Sequence, residues 1–294
     1  ILKPRLPVSQ IKTVVEAVRN GEIPMSLIEE KCLKILRYKY ILGLNRPQRI
    51  EKKGLAADLN TAEAEVLNRK LYEGSVTLLS DTAGLLPLTG LDQRRLAAVS
   101  IGNKGTDYFV KTLQLYAPVE RIPVAGSLTP AAQKELLTKL DRYNTLIVGV
   151  HAAGKENMEL VKKISRGRNV ILAFFMSPYK LSGIGTAIKG AGAVIMAYEN
   201  TPLFQEYAAQ VIFGGTGASG KLPVSLDGIY TYGQGVCTTP TRLGYTIPEE
   251  VGMDSRKLDE IRILVDKAIE ENAFPGCQVL VARKGKVVYN RSFG

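Results

Sequence analysis

Three segments of this sequence carry residues whose types and spacing could perform chemistry. The loop Gly215-Thr-Gly-Ala-Ser-Gly-Lys221 matches most of the GxxxxGK pattern that cradles phosphate. Ser177-Pro-Tyr-Lys180 matches the SxxK pattern, in which a lysine one helical turn away activates a serine nucleophile. His151, the only histidine, follows an apolar run at 146–150. Each pattern works only in a particular structural setting, so the surrounding elements decide its meaning.

Neither of the two patterned loops has the setting that its chemistry needs. A phosphate-binding loop follows a strand and opens a helix, whereas here a helical pattern precedes the loop and Pro223 follows it. Leu222 also occupies the position of the Ser or Thr that would hold magnesium. The SxxK segment lacks the SDN and KTG elements downstream. We therefore interpret both segments as structural turns.

The elements around these segments alternate between strand and helix, which indicates an α/β fold with a mostly parallel sheet covered by helices on both faces. The predicted strands are short apolar runs at 76–79, 96–101, 119–124, 146–150, 170–176 and 194–197. The first predicted helix of this part is capped by Asn60 and ends near Gly74. The further predicted helices cover 107–116, 129–140, 156–164, 177–190 and 203–213, and Thr129 caps the second of these.

Ligands of open parallel sheets gather at the carboxyl ends of the strands. Asn103, His151 and Ser177 all follow predicted strands, so they are our candidate ligand-binding residues. A loop histidine satisfied by hydrogen bonds is the alternative interpretation of His151. The acidic residues are scattered, and no pair has a spacing that guarantees the two carboxylates of a retaining glycosidase. We therefore predict no catalytic residue, no metal site and no cofactor.

Two flanking regions differ from this alternating pattern. Residues 11–18 have an amphipathic helical pattern, and a second helix is predicted after the capping-box pair Ser26 and Glu29, with Cys32 on its apolar face as a buried thiol. We expect the apolar face of the first helix to dock on the α/β domain or on a second copy of the chain. After the α/β part, Asp254 caps another helix, and two strands flank a hairpin turn at 283–285.

The net charge of +11 is weak support for an anionic partner. The first 60 residues hold 12 basic and 6 acidic residues, on patterns typical of solvated helix faces. No segment interleaves basic and aromatic residues, so we predict no nucleic-acid binding. No apolar run reaches the ~18 residues of a membrane span. The chain begins at Ile1 and stops within a predicted hairpin, which suggests a piece of a larger protein.

Four segments of the chain, at 3–4, 35–44, 177–181 and 219–225, carry a resemblance to a known family, glycoside hydrolase family 3. Ile35-Leu-Arg-Tyr-Lys-Tyr-Ile-Leu-Gly-Leu44 is similar to the last barrel helix of that family, and Lys3-Pro4 to the stretch after its last barrel strand. Ser177-Pro-Tyr-Lys-Leu181 resembles its NPYAL segment, with Ser in place of Asn, and Ser219-Gly-Lys-Leu-Pro-Val-Ser225 resembles its SGKLPVS signature. The tail from Gly252, with Phe274-Pro-Gly276, resembles the start of a serine β-lactamase-like domain whose nucleophile would follow residue 294.

The resemblance implies a fragment with five parts. These are the C-terminal helices of a truncated (β/α)8 barrel at 1–46, a linker at 47–58, the α/β sandwich domain at 59–228, an extended linker at 229–250, and the start of a β-lactamase-like domain at 251–294. No stretch matches the family's barrel nucleophile or its Asp–His pair, so no catalytic residue carries over.

The implied function is that of a non-catalytic C-terminal fragment. Its parent would be a periplasmic or otherwise exported β-N-acetylhexosaminidase-type enzyme that hydrolyses terminal β-N-acetylglucosamine. A sugar- or muropeptide-binding module and an interdomain scaffold are the alternatives. The expected partners are carbohydrate bound through the barrel, the barrel and β-lactamase-like domains themselves, and a second copy of the fragment.

Overall fold

The computed structural model describes residues 6–46, 49, 51–124, 126, 128–181, 185–188, 190–226 and 228–294. It divides into two compact units, Ile1–Leu59 and Asn60–Gly294. Lys3-Pro4, Pro47 of the predicted linker and Asp227 near a predicted boundary lie outside the described residues. The five-part division of the chain stays a prediction.

The first unit contains the predicted pair of helices, α1 (Pro7–Arg19) and α2 (Met25–Ile41). A third helix, α3 (Leu55–Leu59), lies within the segment predicted as a linker. Gly21 and Gly43 follow the first two helices with φ of +74° and +73°, the left-handed conformation that glycine adopts most easily after a helix.

Two sequence predictions for α2 are wrong. The helix begins at Met25, after Pro24 in an extended conformation, so Ser26 lies inside the first turn and does not cap it. Cys32 is exposed, not buried, since α2 has no buried residue.

On α1, the side chains of Ile11 and Val15 are exposed to 64% and 41%. The docking of this face stays a prediction.

The second unit is built on a six-stranded sheet of order β1-β6-β5-β4-β2-β3. The five strands from β2 to β6 are parallel to one another, and only β1 is antiparallel, to its neighbour β6. The mostly parallel sheet predicted from the sequence is therefore confirmed. The strands are β1 (Thr77–Asp81), β2 (Leu96–Ile101), β3 (Val119–Ile122), β4 (Thr145–Val150), β5 (Val170–Phe174) and β6 (Ala193–Met196).

The central strands are apolar throughout because both faces of the sheet are buried. Along β4, Leu146, Val148 and Val150 join one core, and Ile147 joins the core on the opposite face. The covering helices are α4 (Ala62–Ser75), α5 (Tyr108–Leu113), α6 (Pro130–Leu140), α7 (Lys155–Ser165), α8 (Gly185–Ile188) and α9 (Pro202–Phe213). Helices α6, α7 and α8 pack on the face of Val148, whereas α5 and α9 pack on the face of Ile147.

Two local predictions in this unit need correction. Helix α4 is capped by Thr61 and not by Asn60, since the Thr61 hydroxyl accepts from the backbone N–H of Ala64. The single helix predicted over 177–190 is a 3₁₀ turn, Pro178–Leu181, followed by α8. Glycines in this segment disfavour a continuous helix. Thr129 is confirmed as the cap of α6, because its hydroxyl accepts a hydrogen bond from the backbone N–H of Ala132.

The end of the chain forms a second, three-stranded sheet of order β7-β9-β8. Its strands are β7 (Gly244–Tyr245), β8 (Cys277–Arg283) and β9 (Lys286–Phe293), and α10 (Ser255–Glu270) precedes the hairpin. Lys284 and Gly285 both have positive φ, as the two-residue turn of a hairpin requires, so the predicted hairpin is confirmed. Asp254 caps α10 through the backbone N–H of Arg256.

A cluster of charges ties this second sheet to the α/β part. The Lys286 ammonium of β9 donates to Glu73 of α4 at 2.9 Å and to Glu250 at 2.8 Å. Burial disfavours the charged forms, yet the hydrogen bonds lower the pKa of Glu250 and raise that of Lys286. Thr216 and Thr246 donate to the same two carboxylates. One cation therefore holds two largely enclosed anions together.

We expect Lys286→Met to lower the free energy of unfolding by about 2 kcal/mol, because two partly buried carboxylates then face each other without a cation. The matched control is Lys267→Met, which removes an exposed ammonium 3.7 Å from Glu271 and should change stability by less than about 0.5 kcal/mol. Urea unfolding of both variants measures the difference. Equal losses would contradict a special role for the Lys286 cluster.

Candidate functional site

The strand order creates one point at which the chain reverses its direction across the sheet. β3 lies on one side of β2, and β4 lies on the other side. Helix α5, which leaves β2, and helix α7, which leaves β4, cover opposite faces of the sheet. This opens a crevice at the carboxyl ends of β2 and β4, the usual place for ligands in such sheets. Asn103 follows β2 and His151 follows β4. The structure therefore places two of the three predicted site residues at this switch point.

His151 is buried and held in one orientation. Its ring stacks on Phe175 with 4.6 Å between centroids and 19° between planes. Its Nδ1 lies 2.8 Å from Asn200 Oδ1, which also accepts from Gln205 Nε2 at 2.7 Å. Gln205 Oε1 in turn accepts from the backbone N–H of Phe109 at 3.0 Å. We call these four groups the amide relay.

The amide relay determines the tautomer of His151. A backbone N–H can only donate, so Gln205 must present its oxygen to Phe109 and its NH₂ to Asn200. Asn200 then presents its oxygen to His151, and His151 must donate from Nδ1. The free lone pair of the neutral ring is therefore on Nε2.

His151 is kept neutral by its surroundings. Burial lowers its pKa below the ordinary value, while the hydrogen bond to Asn200 and the charge of Asp107 act in the opposite direction. Nε2 is buried without a hydrogen-bond partner among the described residues. The ring is thus available as an acceptor and not as a cation.

Two neighbouring groups at the switch point are also unsatisfied. Asp107 Oδ1 caps α5 through the N–H of Val110 at 3.1 Å, but Oδ2 is buried without a hydrogen bond, 3.8 Å from Arg121 Nε. Asn103 Oδ1 accepts from the N–H of Gly105, and its Nδ2 is buried without a partner in the part of the chain that is described. Unpaired buried polar atoms are rare, which makes this corner a candidate for polar ligands.

Ser177 lies at the end of β5, one strand from the switch point. It is half-buried, and its carbonyl accepts from the N–H of Lys180, which starts the 3₁₀ turn. No hydrogen bond among the described residues links Asn103, His151 and Ser177 to one another. The three residues share an edge of the sheet without forming one catalytic arrangement.

Two pockets lie along this edge. One of about 180 Å³ opens between the ends of β2 and β3 and the start of α7, with Gly102, Gln133, Glu156 and Asn157 in its wall. The other, of about 500 Å³, lies past the end of β6, beside Tyr198.

Sequence reasoning missed Asp107, Asn200, Gln205 and Tyr198. The pattern Asn200-Thr201-Pro202 after a strand is typical of a loop that enters a helix, and it could have identified Asn200 as a loop residue at the carboxyl edge.

The glycine-rich loop after α9 serves packing, in agreement with its interpretation as a turn. No helix follows it within the described residues 214–226. A Cβ at Gly217 would overlap the Thr238 carbonyl, and a Cβ at Gly220 would overlap the Ser75 carbonyl. The Lys221 ammonium donates to Gly235 O at 2.6 Å. Glycine is needed here because other backbone segments approach closely.

Within the described residues, no group of three or more His, Cys, Asp or Glu side chains is arranged to hold a metal ion. The same residues contain no helix long and apolar enough to cross a membrane.

No family model and no curated protein matches this sequence. Solved structures do match. A β-glucosidase from Listeria innocua is 18% identical with a TM-score of 0.51, over 72% of this chain and 33% of that chain. A family 3 β-N-acetylglucosaminidase from Paenibacillus sp. str. FPU-7 is 19% identical with a TM-score of 0.47, over 73% and 42%.

The Paenibacillus enzyme is a family 3 glycoside hydrolase. The match to the Listeria β-glucosidase confirms the α/β sandwich fold, with its mostly parallel sheet, that the sequence resemblance implies. The chain spans about a third of the length of the Listeria enzyme. At this level of identity the comparison establishes the fold alone.

We expect the free energy of unfolding to fall as the pH falls below about 6.5, because the unfolded chain then binds a proton that native His151 resists. His151→Phe keeps a ring against Phe175 and removes this titration, so the loss between pH 7.5 and 5.5 should be smaller in the variant. Urea unfolding at both pH values measures it.

The difference between wild type and His151→Phe isolates the titration of one imidazole, because the chain has a single histidine. Glu206, whose pKa is raised by burial, titrates in both proteins and cancels. The same pH dependence in wild type and variant would contradict a neutral, buried His151.

Proposed function

We propose that this chain is a non-catalytic C-terminal part of a family 3 glycoside hydrolase, and that its parent hydrolyses terminal β-linked N-acetylglucosamine with retention. The observation that carries the proposal is the six-stranded sheet, whose fold it shares with a third of a β-glucosidase. The SGKLPVS motif of 219–225 supports the assignment within that fold.

The chemistry of retention supports a non-catalytic role. A retaining glycosidase needs two carboxylates about 5–5.5 Å apart, one as nucleophile and one as acid. At the switch point Asp107 is a helix cap, and His151 is neutral and hydrogen-bonded through Nδ1. The barrel of the parent would supply both catalytic groups, and this domain would form a wall of the cleft.

The parent is also proposed to carry a β-lactamase-like domain that begins near residue 251, and to be exported. The proposed extra domain would be attached rigidly, since Lys286 of the hairpin bonds to Glu73 of the α/β part. This contact also favours a scaffold role, in which the α/β domain sets the distance between two enzymes.

A carbohydrate-binding module is the second candidate. It is favoured by two buried atoms without a hydrogen bond among the described residues, the acceptor His151 Nε2 and the donor Asn103 Nδ2. Asp107 Oδ2 also has no hydrogen bond, but it lies 3.8 Å from Arg121 Nε. Sugar hydroxyls and the N-acetyl amide both donate and accept hydrogen bonds, so they match this set.

We expect the purified chain alone not to hydrolyse an aryl β-N-acetylglucosaminide, and the full-length parent to hydrolyse it faster than the matched aryl β-glucoside. Release of the aryl alcohol measures both rates. Turnover by the chain that persists through repurification would overturn the non-catalytic role. Preference of the parent for the glucoside would overturn the proposed specificity.

A further inference from the structure

The larger pocket at the carboxyl edge has a composition unlike that of the switch point. It lies past the end of β6, is open to solvent and has a volume of about 500 Å³. Its walls include Tyr72, Ser75, Tyr198, Glu199, Phe204 and Lys221, and we call it the Tyr198 pocket. Volumes of this order, with apolar walls and a few polar groups, are typical of small-molecule sites.

The backbone of Tyr198 is strained. Its φ is +49°, which is unusual for a residue with a large side chain. The N–H of Glu199 donates to the carbonyl of Ala197, closing a three-residue turn around Tyr198. Such a conformation costs on the order of 1–3 kcal/mol and persists only where the surroundings enforce it.

Two sets of contacts enforce this turn. The Tyr198 hydroxyl shares a hydrogen bond of 2.7 Å with Thr77 Oγ1 at the start of β1. Asn200, two residues further on, is held by the amide relay through His151 and Gln205. The turn is therefore fixed from both sides, and it places Tyr198 and Glu199 in the pocket wall.

The aromatic rings of the pocket are inclined to one another. Tyr72 and Phe204 have centroids 4.4 Å apart at 59°, and Tyr198 and Phe204 have centroids 6.0 Å apart at 50°. Tyr72 and Tyr198 are half-buried, so part of each ring remains accessible. Apolar ring faces of this kind pack against the C–H faces of a pyranose.

The pocket wall carries one anion, Glu199, and one cation, Lys221, so its charges favour neither an anionic nor a cationic ligand. Glu199 is exposed, and no ion pair joins it to another described residue. The Lys221 ammonium is already bonded to the Gly235 carbonyl. A carboxylate beside accessible rings suits a neutral ligand rich in hydroxyl donors, since each hydroxyl can donate to the carboxylate.

We propose that the Tyr198 pocket binds one neutral hexopyranose unit of a β-linked glycan, with the sugar face on Tyr72 and Tyr198 and its hydroxyls donating to Glu199. This inference rests on the proposed function for its choice of a glycan. It adds a sugar site separate from the switch point, next to the same edge of the sheet.

The test is an NMR titration of the complete chain, labelled in its Tyr and His rings. The probes are N-acetylglucosamine and laminaribiose, with tetramethylammonium and inorganic phosphate as the cationic and anionic alternatives. We expect the sugars to shift the ring signals of Tyr72 and Tyr198 but not of Tyr232, which is 75% exposed and outside the pocket wall. Phosphate should shift none of them.

Two variants test the contacts. Tyr72→Ala should weaken sugar binding about tenfold, because one stacking surface is lost, with Tyr232→Ala as the matched control. Glu199→Gln should weaken it about threefold, with Glu135→Gln as the control. Glu199 is exposed, so this substitution tests the pocket even if Tyr72→Ala fails to fold.

The outcomes separate this inference from the proposed function. Sugar-dependent shifts confined to His151 would overturn the Tyr198 pocket and support binding at the switch point. Shifts with tetramethylammonium but not with sugars would also overturn it, in favour of a cation cage. Sugar binding at Tyr72 together with glycoside hydrolysis by the chain alone would support the pocket and overturn the non-catalytic role.

Discussion

The hydrogen bond from the backbone N–H of Phe109 to Gln205 sets the arrangement of the carboxyl edge of the sheet. Because that donor cannot be reversed, the amides of Gln205 and Asn200 have one orientation each, and His151 has one tautomer. The bonds of the amide relay join α5, α9, the loop after β6 and the end of β4. The polar surface of the edge depends on this relay.

The sheet explains why such a relay can form. Parallel strands bring all their carboxyl ends to one edge. Helix α5 after β2 and helix α7 after β4 lie on opposite faces, which leaves the switch point open between them. Loops from strands far apart in the sequence therefore meet there. The unsatisfied atoms at the switch point and the aromatic Tyr198 pocket are two chemically different surfaces on the same edge.

Much of this fold could be predicted from local patterns. Continuous apolar runs identified the buried strands, and Thr129 and Asp254 identified helix starts, because caps and burial act over a few residues. The wrong predictions are the helix caps at Ser26 and Asn60, the burial of Cys32 and the continuous helix over 177–190. Other features depend on contacts between distant residues that local patterns do not reveal. Within the segment 229–250, whose role as a linker stays a prediction, β7 pairs with β9 and Glu250 accepts a hydrogen bond from Lys286 of β9.

The sequence by itself determined the alternation of strands and helices, the turn role of the glycine-rich loop, and the positions of Asn103, His151 and Ser177 after strands. These features follow from apolar periodicity and from backbone preferences of single residues. Only the tertiary structure decided the tautomer of His151, the strained turn at Tyr198 and the enclosure of Lys286 by Glu73 and Glu250. Each depends on groups that are far apart in the chain and meet only when the strands align.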